Sequence, residues 1–237
     1  MSTYILIHGA WHSSWCWHKV QSLLEQQGHR VLTPTLPGHG DDRTPIAEIS
    51  LQAYTDTIGK LLTILSEPAI LVGHSMGGIV LSQVAEQWPD KVKLLVYLSA
   101  YLLSGQSILD VSSEAPDSLV PPNLIIHQEQ GICEIKPESI REIFYADCSE
   151  ADFNAAKSHI CPEPLAPFAT PLQVTNERFG QVPRIYIQTL QDRAVTPMLQ
   201  KYMYDRLPCQ QVISMNTGHA PFLADPQTLT AHLLDLA

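Results

Sequence analysis

Long apolar runs are missing from this 237-residue sequence, and no stretch approaches the ~18–20 residues that a membrane span requires. Basic residues are scarce. Fourteen Lys and Arg stand against 24 Asp and Glu, a formal net charge of −10, and a field of that sign repels phosphate backbones and anionic lipid surfaces. Neither nucleic acid nor membrane is therefore expected as a partner. The five cysteines (Cys16, Cys133, Cys148, Cys161, Cys209) are odd in number and contain no Cys-x-x-Cys pair, so neither a disulfide framework nor a zinc ribbon fits. Free thiols are expected. No Gly-x-x-x-x-Gly-Lys or Gly-x-Gly-x-x-Gly pattern occurs, so Gly38-His39-Gly40 is not a phosphate cradle and no nucleotide cofactor is implied. Residues 1–8 lack a basic segment and read as a strand stopped at His8 and Gly9, not as a signal peptide. The expectation is a soluble, cytoplasmic protein.

What is present is core-forming material. Hydrophobic residues make up 45% and charged residues 16%, a composition for a globular chain, and the length suits one α/β domain carrying a large insertion. Short β-branched runs alternate with amphipathic stretches. The pattern predicts strands over 4–8, 30–33, 69–72 and 93–99, with helices over 15–27, 50–66 and 76–88. It resumes with a strand over 184–189, a helix over 197–206, a strand over 210–214 and a last helix over about 225–236. Alternation with continuous apolar strands implies a mostly parallel sheet covered by helices on both faces. Between residues 104 and 182 the alternation breaks: eight prolines fall there, with short helical stretches over 139–145 and 150–157 and no clear parallel strand. Residues 1–103 and 183–237 are accordingly read as one core, and 104–182 as an inserted, mainly helical cap over its rim.

The strongest local signal is Gly73-His74-Ser75-Met76-Gly77-Gly78, lying directly between a predicted strand and a predicted helix. This is the pattern of a nucleophile elbow, in which a serine sits on a strained turn and small residues two positions either side let the backbone pack. The helix N-terminus behind it favours developing negative charge. A serine hydroxyl needs a base and an orienting acid. His219, in the loop between the last strand and the last helix, suits the base; Asp192, in the loop after the strand over 184–189, suits the acid. The order Ser75, Asp192, His219 is the one this topology produces. Two backbone amides would bind the oxyanion, Met76 after the nucleophile and Ala10 in the loop His8-Gly9-Ala10-Trp11.

Rival residues have plainer readings. Asp225, before Pro226, reads as a helix N-cap, Asp205 as part of a solvated helix face, and Asp41 and Asp42 as loop residues bonding locally. His39 and His74 lie near the predicted site but too close in sequence to serve easily as its base, and a substrate-side or structural role is expected for each. The cluster His8, His12, Cys16 and His18 matches no zinc pattern and is interleaved with Trp11, Trp15 and Trp17, so aromatic packing is the expected role and no metal site is assigned.

Taken together, Leu6-Ile7-His8-Gly9-Ala10-Trp11, the elbow, Thr175-Asn176-Glu177-Arg178-Phe179-Gly180 and Thr217-Gly218-His219 resemble the α/β-hydrolase superfamily. The resemblance is to its branch of small plant methyl esterases and hydroxynitrile lyases and their bacterial esterase relatives. It implies a serine hydrolase with a cap over an apolar pocket. Lyases of that branch usually carry threonine at the place of Gly9 and lysine after the catalytic histidine; here stand Gly9 and Ala220, while His74 and Met76 are esterase-like.

The expected function is therefore cleavage of small, uncharged carboxylic esters through an acyl-enzyme, with no cofactor. Activity should climb as pH rises through the range in which histidines titrate, near 6.5 in model peptides. The pocket is expected to draw on Trp11, His74, Tyr101 and Leu102, with Phe144, Leu165 and Phe168 from the cap. Thioester or lactone hydrolysis uses the same machinery. A hydroxynitrile lyase and a non-catalytic ligand receptor on the same fold are the alternatives, and a homodimer is compatible with the sequence.

Overall fold

The computed structural model spans residues 1–237 and describes all of them apart from the side chain of Ser113. β1 (Thr3–Ile7) buries Tyr4 through Ile7 without alternation, as a strand covered on both faces must. A 3-10 turn over Ser14–Trp17 opens α1 (His18–Gln26), which stops before Gly28 at φ +80°. β2 (Arg30–Leu32) follows, and then a long loop through Gly38 and Gly40. α2 (Leu51–Thr63) starts where the Ser50 hydroxyl accepts the Ala53 N–H at 3.1 Å. β3 (Ala69–His74), α3 (Gly77–Gln87) and β4 (Val92–Leu98) complete the first half. All six residues of β3 are buried, and burying Ile70, Leu71 and Val72 is worth about 1.5–3 kcal/mol each, so the strand beneath the elbow is firmly fixed.

The segment that follows carries α4 (Ile108–Val111), β5 (Leu124–His127), β6 (Ile132–Ile135), α5 (Ile140–Phe144), α6 (Glu150–Lys157), β7 (Glu163–Pro164) and α7 (Leu165–Ala169). Here the structure departs from the sequence reading. Beside the short helices, β5, β6 and β7 form a three-stranded antiparallel sheet. Its first two strands are four residues each, joined by a turn that needs Gly131 at φ +67°. Runs that short, flanked by Pro121, Pro122 and Pro137, give too little periodicity to register as strands.

β8 (Arg184–Thr189), α8 (Pro197–Arg206), β9 (Gln211–Met215), α9 (Pro221–Ala224) and α10 (Pro226–Asp235) return the chain to the main sheet. Asp225 caps α10, accepting the Thr228 N–H at 3.2 Å. The six strands lie in the order β2-β1-β3-β4-β8-β9, every pairing parallel. α1 packs on α10 and α2 on α3. Strand order reverses between β1 and β3, and in open α/β sheets a crevice forms at the carboxyl ends of such strands. The loops after β1 and β3 are those that carry Ala10 and Ser75.

Candidate active site

Ser75 closes β3 with φ +53°, a left-handed conformation for a residue with a side chain, and such a residue stores roughly 1–3 kcal/mol of strain. Its neighbours explain how the turn is held. The Ser75 N–H donates to the Leu98 carbonyl at 3.2 Å, and its own carbonyl accepts from Gly78 and Tyr101, both at 3.0 Å. A Cβ at Gly73 would collide with the Leu81 side chain and lie 2.7 Å from the Gly77 carbonyl; one at Gly77 would lie 2.8 Å from the Ile7 carbonyl. Only glycine fits two positions before and two positions after the serine.

His219 hangs from the loop after β9, where the neighbouring Gly218 N–H donates to Asp147 at 2.6 Å. Its Nδ1 donates to Asp192 Oδ2 at 2.8 Å, with both side chains essentially buried. Asp192 is itself locked. Oδ1 accepts the Ala194 and Val195 N–H groups at 2.8 and 3.0 Å, and Oδ2 also accepts the Thr189 hydroxyl at 2.9 Å. The acid therefore fixes the tautomer, with the proton on Nδ1 and Nε2 left as the basic nitrogen.

Ser75 and His219 both border a cavity of about 320 Å³, together with Ala10 and Met76. Among the described residues, neither the Ala10 nor the Met76 N–H donates to another protein group. Trp11, Tyr101, Phe144 and Phe168 line it as expected. Further wall comes from residues the sequence did not single out, among them Ile108, Leu109, Leu124, Ile126 and Leu199. No periodic or motif signal marked these positions.

Three expected pocket residues lie elsewhere. Leu102 borders a separate small cavity with Leu103 and Met203, and Leu165 begins α7, its N–H donating to the Gly131 carbonyl at 2.9 Å. His74 is wholly buried beneath the site. Its Nε2 donates to the His219 carbonyl at 2.8 Å and its ring lies 4.5 Å from that of His219, so it holds the His219 loop from behind and is not part of the cavity wall.

His8 and His12 are likewise structural. His8 Nε2 accepts the Leu36 N–H at 3.0 Å, and His12 Nε2 accepts the Tyr145 hydroxyl at 2.6 Å. Burial disfavours the charged form of all three: it pushes His12 down to about 4, and His8 and His74 well below the usual histidine value. Their folded pKa values are depressed, so the stability they contribute is present above pH 6.5 and is lost as pH falls through the acid range. For His12 alone this is about 3 kcal/mol, or a fall in Tm on the order of 10 °C between pH 6.5 and 4. A Tm series against pH should show it, and His12→Gln should flatten the slope; an unchanged slope would remove His12 as a cause.

A family model described as "Alpha/beta hydrolase family" matches residues 4–232. The chain belongs to that family. Among its alpha/beta hydrolase relatives, putative methylesterase 11 of Arabidopsis thaliana is 32% identical over 249 residues, covering 99% of this chain, which spans only 63% of that longer protein. Salicylic acid-binding protein 2 of Nicotiana tabacum is 30% identical over 250 residues, covering 99% of this chain and 96% of its own. In three dimensions, a pyrethroid hydrolase from Sphingobium faniae superimposes with a TM-score of 0.88 at 29% identity, over 99% of this chain and 96% of that one. The chain is thus an esterase-like alpha/beta hydrolase.

Proposed function

We propose that this protein hydrolyses uncharged carboxylic esters by acyl transfer. One observation carries the reading: Ser75, His219, Ala10 and Met76 border a single cavity, the last two with N–H groups that donate to no other described group, and no Asp, Glu, Lys or Arg is among the described residues of its wall. His219, oriented by Asp192, takes the proton of Ser75 as the hydroxyl attacks the ester carbonyl. The oxyanion is bound by the amides of Ala10 and Met76. His219 then protonates the leaving alcohol, and water, deprotonated by the same histidine, releases the acid. A pocket without a fixed cation gains nothing from an anionic acyl group, and burying an unpaired charge there is costly. The names of the relatives, methylesterase and pyrethroid hydrolase, agree with an ester substrate.

The lyase reading is disfavoured by the loop after β1. A Cβ at Gly9 would stand 2.8 Å from Ser75 Cβ and 2.9 Å from His74 Nδ1, leaving no room for a threonine there. A panel of p-nitrophenyl and methyl esters graded by acyl length tests the proposal. Neutral acyl groups should exceed their ω-carboxylate counterparts by about 100-fold or more in kcat/KM. Equal rates would remove the substrate assignment, and cyanide release from mandelonitrile without ester hydrolysis would favour a lyase.

A further inference from the structure

Glu163 is an acid with no part in the reaction above, yet its side chain is completely buried. It stands between Pro162 and Pro164 in β7 and reaches out of the inserted segment to two points in the core. One oxygen, Oε2, accepts both the Trp11 backbone N–H at 2.9 Å and His39 Nε2–H at 2.8 Å. His39 Nδ1 in turn donates to the Pro37 carbonyl at 3.1 Å. Both ring nitrogens face acceptors, which is the arrangement of an imidazolium. Burial opposes that charge, but the Glu163 carboxylate and the hydrogen bonds outweigh it and raise the His39 pKa.

The Trp11 contact bears on the chemistry. Trp11 follows Ala10 and holds φ +61°, where a bulky residue persists only if its surroundings insist. The surroundings do. The Ala10 carbonyl accepts from His12 Nδ1 at 2.7 Å, the Trp11 carbonyl accepts the Cys161 N–H at 3.0 Å, and the indole donates to the Cys133 carbonyl at 3.2 Å. Glu163 supplies the remaining tie, at the peptide joining Ala10 to Trp11. A lone carboxylate this near an oxyanion site would repel the charge that develops there. His39 cancels it.

We infer that Glu163, neutralised by His39, is a positioning residue for ester hydrolysis: it orients the Ala10–Trp11 peptide, and with it the Ala10 N–H that meets the oxyanion, so that the inserted segment helps to build the oxyanion hole. The inference rests on the assignment of Ala10 made above. Glu163 itself never touches substrate.

The test uses the full chain, with kcat expressed per active site titrated by a fluorophosphonate and folding followed by circular dichroism. Glu163→Asp keeps the charge but falls one methylene short of the Trp11 amide; Glu163→Gln keeps the reach and an acceptor oxygen. Glu163→Asp should lose about tenfold or more in kcat per titrated site at unchanged KM, and Glu163→Gln should recover kcat to within about threefold of wild type. The inference is overturned if Glu163→Asp equals or exceeds Glu163→Gln per titrated site. It is equally overturned if both variants lose only titratable sites, with kcat per site intact, since that is the signature of a purely structural residue. Wild-type protein that neither hydrolyses esters nor takes the label would sink the ester reading itself, a different failure from an active wild type matched by its Asp variant.

Discussion

Replacing Ser75 with alanine should abolish ester turnover and all labelling by a fluorophosphonate while leaving the fold and its Tm intact. The hydroxyl is the only atom of that side chain the proposed reaction uses, and removing the nucleophile of a catalytic triad costs on the order of 10⁶-fold in kcat. The backbone does not depend on it: the strained turn is held by the Ser75 amide and carbonyl, which alanine retains. Steady-state hydrolysis of a p-nitrophenyl ester, with the label run on a gel, decides the matter. Hydrolysis surviving above a trace would take the nucleophile's role away from Ser75.

The second large effect is expected from Asp192→Asn, by a different route. Asparagine can keep its carbonyl oxygen toward the Ala194 and Val195 amides, so the loop should hold its shape. Its amide nitrogen then takes the place of Oδ2 and presents a hydrogen to His219 Nδ1. The imidazole must answer as an acceptor there, which moves its own proton to Nε2 and removes the lone pair that Ser75 needs. An inverted tautomer of this kind costs about 10⁴-fold in kcat. The discriminating measurement is kcat with the Tm beside it: a loss of activity without a loss of stability is expected, and an activity within tenfold of wild type would mean that Asp192 does not orient the base.

That Ser75 and His219 border one cavity, with Asp192 bonded to the imidazole, could be anticipated from the chain because each sits in a loop at a strand's carboxyl end, where apolar runs meet turn residues. The glycines around Ser75 added a steric signature, since the packing of Gly73 and Gly77 against β-strand and helix leaves no room for a Cβ. The pocket was less legible. Trp11, Tyr101, Phe144 and Phe168 were anticipated from their size and neighbourhood, but a buried histidine looks the same in sequence whether it faces a ligand or, like His74, clamps a carbonyl from behind. β5 and β6 escaped because four-residue strands between prolines carry little periodicity. Glu163 had no local signal at all: a single acid between two prolines reveals nothing until distant chain brings Trp11 and His39 to it.

Ser75, Asp192 and His219 all belong to loops of the parallel sheet, whereas Ile108, Leu124, Ile126, Phe144 and Phe168 come from the segment inserted between β4 and β8. In the proposed reaction the chemistry is thus written in one stretch of the polypeptide, and the choice of guest in part in another, with Trp11, Tyr101 and Leu199 of the core completing the wall. Changes of bulk along the second stretch can retune which molecules are admitted while leaving the bond-breaking apparatus untouched, with one exception. Where that stretch grips the loop behind Ala10, altering the doorway also disturbs the engine.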